Sequence, residues 1–165
     1  MDIMEELSMR NTNETNIFVT RHSKPKYNIF ESLDNFKMTD IKILIAEDND
    51  INSNHLYKIL SGYGIICDIA KNADETIHLF ETNDYDMLMI DYLMPPGING
   101  IETVKQIRTT SEKGKHQLII GMSSTTAESI TNEFHSTDVD IILSKPINPN
   151  QLATILKREF PNKVL

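Results

Sequence analysis

Short apolar runs alternate along the chain with longer segments in which apolar residues recur every three or four positions. Runs of four to eight apolar residues are typical of buried strands, and the longer period is typical of amphipathic helices. The strand-like runs cover residues 41–46, 65–70, 87–90, 118–122 and 139–143. The helical periods cover residues 56–63, 73–80, 101–107, 127–134 and 152–156. The pattern therefore predicts five strands, each followed by a helix.

Strands that alternate with helices on short connections form right-handed βαβ units. We therefore predict an α/β fold in which a parallel sheet lies between layers of helices. The second and fourth runs are almost entirely apolar, which predicts strands buried on both faces.

Residues 1–40 have a different composition, rich in Asn and Thr and followed by the basic residues Arg21, Lys24 and Lys26. We predict that 1–40 form an extension, linker or docking segment rather than part of the sheet, and that 41–165 form one domain. The spacing of apolar residues permits a short helix over 28–36. That helix would either order by lying on the main domain or dock a partner.

The net charge of −8 and the pI near 5.0 argue against a nucleic-acid-binding surface, which requires clustered Lys and Arg. The single cysteine, Cys67, cannot form an internal disulfide, and we predict a core thiol in a reducing compartment. The sequence has no apolar segment of membrane-spanning length, and its first residues do not resemble a signal peptide. These features predict a cytoplasmic protein without membrane contact.

Polar side chains follow four of the five predicted strands. They are Glu47 and Asp48 after the first, Asp91 after the third, Ser123 after the fourth and Lys145 after the fifth. Because parallel strands end at one edge of a sheet, we expect these groups to converge there. Carboxylates and a backbone carbonyl suit Mg²⁺, and a lysine and a hydroxyl would complete a site for a phosphoryl group.

Several motifs around these residues resemble the receiver domain of two-component response regulators, over residues from about 40 to 160. The motifs are Glu47-Asp48-Asn49 followed by Asn52, Asp91 running into Met94-Pro95, Gly100-Ile101-Glu102, Gly121-Met122-Ser123 and Lys145-Pro146. The first motif is most similar to receivers attached to hybrid sensor kinases. The resemblance implies a doubly wound, flavodoxin-like sheet with strand order 2-1-3-4-5 and helices on both faces.

The resemblance also implies a role for each candidate residue. Asp91 would accept a phosphoryl group, and Mg²⁺ would be held by Glu47, Asp48, Asp91 and the carbonyl oxygen of Leu93. Ser123 and Lys145 would contact the phosphoryl oxygens, and the peptide bond between Lys145 and Pro146 would be cis. The donor would be a phosphohistidine on a histidine kinase or a histidine phosphotransfer protein, and output would pass through a downstream protein or a further relay step.

The chain departs from the family pattern at two places. The segment between Pro95 and Gly100 is one residue longer than usual. Ile142 lies three residues before Lys145, where the family usually has Tyr or Phe. An aliphatic side chain cannot move a ring between buried and exposed positions, so the resemblance leaves the usual output switch open.

Two other classes of function compete with the phosphoacceptor. An inert pseudo-receiver scaffold is compatible with Ile142 but not favoured by the intact acidic group. An aspartyl-nucleophile phosphatase would need a second Asp two residues after the nucleophile, where this chain has Leu93.

Overall fold

The computed structural model describes residues 18–19, 35–96, 99–124, 132 and 138–165. Their strands form one sheet with the order β1-β6-β5-β4-β2-β3. The strands are β1 (Phe18–Val19), β2 (Lys42–Ala46), β3 (Ile66–Ala70), β4 (Met87–Asp91), β5 (Leu118–Ser123) and β6 (Ile141–Ser144). Strands β2 to β6 are parallel and reproduce the predicted order 2-1-3-4-5.

Strand β1 corrects the prediction that residues 1–40 lie outside the sheet. Strand β1 is two residues long and pairs antiparallel with β6 at the edge of the sheet. A strand of two residues is too short to show a period of alternation in the sequence.

Five α-helices and a short 3₁₀ helix are described, and the α-helices share a sequence signal at their N-termini. Asn or Ser precedes each helix and accepts a hydrogen bond from a backbone N–H of its first turn. The helices are α1 (Asp50–Gly62), α2 (Ala73–Thr82), α3 (Gly100–Thr110), α4 (Glu112–His116), α5 (Pro149–Glu159) and the 3₁₀ helix Pro161–Lys163. The predicted helix over 127–134 lies outside the described residues apart from residue 132, which is helical, and that over 28–36 lies outside them apart from its last two residues.

Alternate residues of the strands point to two apolar cores, one on each face of the sheet. Ile43 and Ile45 of β2 pack with α1 and α5, whereas Leu44 and Ala46 pack in the cluster that includes residues of α2 and α3. Helices thus cover both faces, as predicted. Strand β3 does not fit the prediction of burial on both faces, because it lies at the edge of the sheet and leaves Ile66 63% exposed.

The residues just before β2 pack on the domain. Phe36 and Met38 are buried in the core shared with α1 and α5, and Phe36 meets the ring of Tyr63 edge to face. Met38 also bridges to Val164, and the N–H of Thr39 donates to the carbonyl of Lys163 at 2.9 Å. The division of the chain at residue 40 stays a prediction, but these contacts join residues 36–39 to the C-terminal segment.

Paired charges hold the amino end of the sheet. The Arg108 guanidinium contacts the Asp140 carboxylate at 3.2 Å and donates to the carbonyl of Gly114 at 2.9 Å. The Lys113 ammonium donates to the carbonyl of Phe80 in the last turn of α2 at 2.8 Å, where a cation interacts favourably with the helix dipole. Among the described residues, no helix combines the length and apolar character that crossing a membrane requires.

Candidate functional site

Three carboxylates meet at the carboxyl end of the central strands. Asp91 is the last residue of β4, and Glu47 directly follows β2, whose Ala46 lies opposite Ile90 in the parallel register. With Asp48, they each offer an oxygen atom within 4.8 Å of the others. Glu47 is 1% exposed and Asp91 is 4% exposed. The predicted convergence of these acids is therefore present in the structure.

Lys145 brings a positive charge to the same place. Its Nζ lies 2.9 Å from Oε2 of Glu47 and 3.0 Å from Oδ2 of Asp91. The backbone N–H of Lys145 donates to the carbonyl of Ser123 at 2.8 Å, which ties the ends of β5 and β6 together. The Lys145–Pro146 peptide bond is cis, as the resemblance implied, and so is the bond between Pro95 and Pro96.

The crowding of charge changes two acid–base equilibria. Burial raises the pKa of Asp91 to about 6; the hydrogen bond from Lys145 opposes this rise, and the negative charge of Glu47 adds to it. Burial by itself lowers the pKa of Lys145, but its bonds to Glu47 and Asp91 outweigh burial, so the pKa is raised overall. At neutral pH the site therefore holds an ionised Asp91 carboxylate beside a protonated lysine.

Ser123 and Leu93 lie at or close to the ends of β5 and β4 in the sequence. Ser123 ends β5 and is buried, one residue beyond Met122, which lies opposite Asp91 in the register. A backbone hydrogen bond from Leu93 holds the Asp91 pKa down, while the Leu93 side chain is 57% exposed. Ser124 is exposed. The ligand role of the Leu93 carbonyl and the phosphoryl contact of Ser123 stay predictions.

Two residues that sequence reasoning gave no role also shape the site. The backbone N–H of Asn49 donates to Oε1 of Glu47 at 3.1 Å while its side chain caps α1. Gly100 begins α3 so close to β4 that a Cβ atom there would lie 1.9 Å from the carbonyl oxygen of Asp91. The sequence showed Gly100 as the first residue of the motif Gly-Ile-Glu, but it did not show that the backbones of Gly100 and Asp91 approach each other closely.

The family assignment agrees with this geometry. Residues 43–157 match the family model of the response regulator receiver domain, which covers more than half of the chain. The chain belongs to the receiver domain family. Receiver domains are signalling modules of two-component phosphorelays.

Relatives of this receiver domain occur in proteins of very different length. It is 28% identical over 134 residues to hybrid signal transduction histidine kinase K of Dictyostelium discoideum, covering 78% of the chain but 11% of the kinase. It is 27% identical over 131 residues to two-component response regulator 24 of Arabidopsis thaliana, covering 79% of the chain and 91% of that protein. The chain thus spans about a tenth of one relative and most of the other.

A solved structure similar in fold is the co-crystal structure of the histidine phosphotransfer protein Ypd1 and the receiver domain of its response regulator Ssk1, from Saccharomyces cerevisiae. The TM-score is 0.66 and the sequence identity 23%, over 73% of this chain and 88% of the matched chain. At this identity the likeness shows the fold alone.

The donor atoms of the acidic cluster fit a hard divalent cation. Receiver domains bind Mg²⁺ at an acidic site, and this receiver domain has three carboxylates whose oxygens lie within 4.8 Å of one another. Oxygen ligands of this kind suit Mg²⁺. The carboxylates of Glu47 and Asp91 repel each other, which contributes to the raised pKa of Asp91. A bound cation would relieve that repulsion.

Proposed function

We propose that Asp91 accepts a phosphoryl group from a phosphohistidine in a Mg²⁺-dependent reaction. The observation that carries this proposal is the placement of the Lys145 ammonium 3.0 Å from the Asp91 carboxylate, inside a cluster of three acids. A purely structural ion pair would need one acid for the lysine. This site has three acids beside one lysine, and a bound cation would neutralise the excess negative charge.

In the reaction, a carboxylate oxygen of Asp91 forms a bond to phosphorus as the P–N bond to the donor imidazole breaks. The electron pair of that bond returns to the imidazole nitrogen, and the product is an acyl phosphate on Asp91. The attack brings two negatively charged groups together, so it needs positive charge and hydrogen-bond donors near the phosphoryl oxygens. Lys145 and the hydroxyl of Ser123 supply these in the proposal.

Mg²⁺ would be held by Glu47, Asp48, Asp91 and the Leu93 carbonyl, and when bound it would neutralise charge on the phosphoryl oxygens. The same groups would assist the attack of water on the acyl phosphate, so that the domain promotes its own dephosphorylation. Lys145 already bridges Glu47 and Asp91, which keeps its ammonium in place before the donor arrives.

The partners follow from the proposed chemistry and from the relatives. A histidine kinase or a histidine phosphotransfer protein would supply the phosphoryl group, and a downstream protein or relay step would read the result. The proposal keeps the cytoplasmic location and the absence of nucleic-acid and membrane partners predicted from the sequence.

Incubation with acetyl phosphate and Mg²⁺, followed by intact mass spectrometry, tests the proposal. We expect one added phosphoryl group on the wild-type chain and none on Asp91→Asn. Asp86→Asn is the matched control, because Asp86 lies at the opposite end of β4, where its carboxylate accepts from the Lys42 backbone N–H at 2.8 Å. A folded wild-type chain without any adduct would support the scaffold, and continuous release of phosphate over many turnovers would support the phosphatase.

A further inference from the structure

A short loop carries two of the acids proposed to bind Mg²⁺. The loop comprises residues 47–49 and connects the end of β2 to the start of α1. Its first two residues are Glu47 and Asp48. Because Mg²⁺ demands near-ideal octahedral geometry, its binding is sensitive to the position of a loop that supplies two of its ligands. Groups that hold this loop can therefore act on the metal site without contacting the metal.

The end of β3 holds both ends of this loop. The backbone N–H of Glu47 donates to the carbonyl of Ala70, the last residue of β3, at 3.0 Å. The next residue, Lys71, reaches α1 with its side chain, and its Nζ lies 2.8 Å from Oδ1 of Asp50 and 2.7 Å from Oγ of Ser53. Asp50 is the first residue of α1 and Ser53 is the fourth. Two residues adjacent in the chain thus hold the loop where it begins and where it enters the helix.

The contact with Ser53 distinguishes Lys71 from a surface ion pair. The Asp50 side chain is 82% exposed, and ion pairs at such positions contribute little to stability. Ser53, in contrast, is fully buried, and its hydroxyl donates in turn to the carbonyl of Asp50 at 3.3 Å. The backbone N–H of Lys71 also donates to Oε2 of Glu75 at 2.7 Å. Lys71 is therefore anchored at its backbone, and its charged donor contacts a buried acceptor, which favours one geometry.

Lys71 also changes the charge around the loop, which gives a competing expectation. Its ammonium offsets the charge of Asp50, the third acid within four residues of the chain. A positive charge near a cation site repels the cation, so a purely electrostatic role predicts that removing Lys71 strengthens Mg²⁺ binding. A positioning role predicts weaker binding, because a loop that is free to move holds its acids together less well. The sign of the effect separates the two roles.

We propose that Lys71 is a positioning residue for the Mg²⁺ site. The inference rests on the proposed function, in which Glu47 and Asp48 help to hold the cation. Lys71 holds the start of α1 against the end of β3, and the loop so fixed keeps both acids close to Asp91. Lys145 contacts Glu47 and Asp91 directly, whereas Lys71 acts on the loop through α1.

Thermal melts of the full-length chain over a series of Mg²⁺ concentrations test the inference. The rise in stability with concentration gives the dissociation constant for Mg²⁺, and melts in EDTA give the stability without metal. Lys71→Met should weaken Mg²⁺ binding by roughly tenfold, the lower end of the usual loss when a group that orients metal ligands is removed.

Two further variants separate position from charge and from general stability. Ser53→Ala removes the buried acceptor but keeps the ammonium, so it should also weaken Mg²⁺ binding. Lys163→Met is the matched control. Lys163 pairs with the exposed Asp40 at 2.7 Å, much as Lys71 pairs with Asp50, but just before the amino end of β2. Lys163→Met should therefore leave the dissociation constant for Mg²⁺ unchanged.

Formation of the Asp91 adduct from acetyl phosphate gives a second readout. In Lys71→Met, the Mg²⁺ concentration that gives half the maximal rate should rise in the same proportion as the dissociation constant. The rate at saturating Mg²⁺ should stay unchanged, because the substitution affects binding and not the chemical step.

The outcomes distinguish this inference from the proposed function. Unchanged or tighter Mg²⁺ binding in Lys71→Met, or in Ser53→Ala if the first variant does not fold, would overturn the inference and leave the proposed function in place. A lower melting temperature in EDTA with an unchanged dissociation constant would show a structural role only, and would also overturn it. If Mg²⁺ does not raise the melting temperature of the wild-type chain, the proposed metal site fails, and the inference fails with it.

Discussion

Acidic residues are paired with cations at the amino end of the parallel sheet and clustered together at its carboxyl end. At the amino end, the buried Asp140 has the guanidinium of Arg108. Lys42, which begins β2, and Tyr85, which precedes β4, reach Asp68 in the middle of β3 with an ammonium at 2.9 Å and a hydroxyl at 2.6 Å. At the carboxyl end, three acids crowd together, and Lys145 contacts two of them.

The pKa values show what this difference means. Hydrogen bonds from Tyr85 and Lys42 lower the pKa of Asp68, as expected for an acid whose charge is stabilised by the fold. Burial and the nearby Glu47 raise the pKa of Asp91 in spite of Lys145. The amino end uses its charges for structure, whereas the carboxyl end keeps an acid whose ionised form the fold disfavours, which is typical of a functional site.

The largest expected effect is at the amino end. Arg108→Met should destabilise the protein by about 3–5 kcal/mol, because it leaves the Asp140 charge buried without its guanidinium partner. Urea unfolding measures the loss. The double variant Arg108→Met with Asp140→Asn should lose less than the sum of the two single variants. A cost of Arg108→Met no larger than that of a surface substitution would show that this end is not held by its ion pair.

Magnesium should stabilise the carboxyl end and not the amino end. At a concentration a hundredfold above its dissociation constant, a ligand that binds only the folded state adds about 2.7 kcal/mol of stability. Thermal melts with and without Mg²⁺ should show this gain in the wild type and in Asp68→Asn, but not in Asp48→Asn. An equal gain in Asp48→Asn would place the metal elsewhere.

The metal-free protein should lose stability as the pH rises through the range in which Asp91 ionises. A carboxyl whose pKa is raised in the folded state opposes folding when it is charged, so this cost is absent below about pH 4 and complete above about pH 6. In EDTA at pH 7, Asp91→Asn should therefore be more stable than the wild type by about 1–3 kcal/mol. Urea unfolding across this pH range checks both statements, and a less stable Asp91→Asn would contradict them.

Asp68 should show the opposite sign and a smaller effect. Its pKa is lowered in the folded state, so its contribution to stability is present above the pKa of the unfolded chain and lost as the pH falls through the lowered value. Because Asp68 and Lys42 are both about one-third exposed, Asp68→Asn should cost only about 0.2–1 kcal/mol at pH 7. Chemical unfolding at pH 7 and pH 3 should show the difference shrinking at the lower pH.

Much of the fold follows from local patterns in the sequence. The apolar runs located the five parallel strands to within two residues at each end, since a strand buried in a sheet needs a continuous apolar segment. The polar residues at the strand ends also located the acidic cluster. Helix α4 was not predicted as a separate helix, because a five-residue helix is too short to show a period.

By itself, the sequence determined the order of elements, the residue types at the strand ends and the family, because each depends on short stretches of chain. Only the tertiary structure decided that residues 18–19 pair with β6 and that Gly100 approaches Asp91 too closely for any side chain. It also decided that Lys145 reaches both Glu47 and Asp91. These facts depend on distances between segments far apart in the chain, and such distances exist only once the sheet has formed.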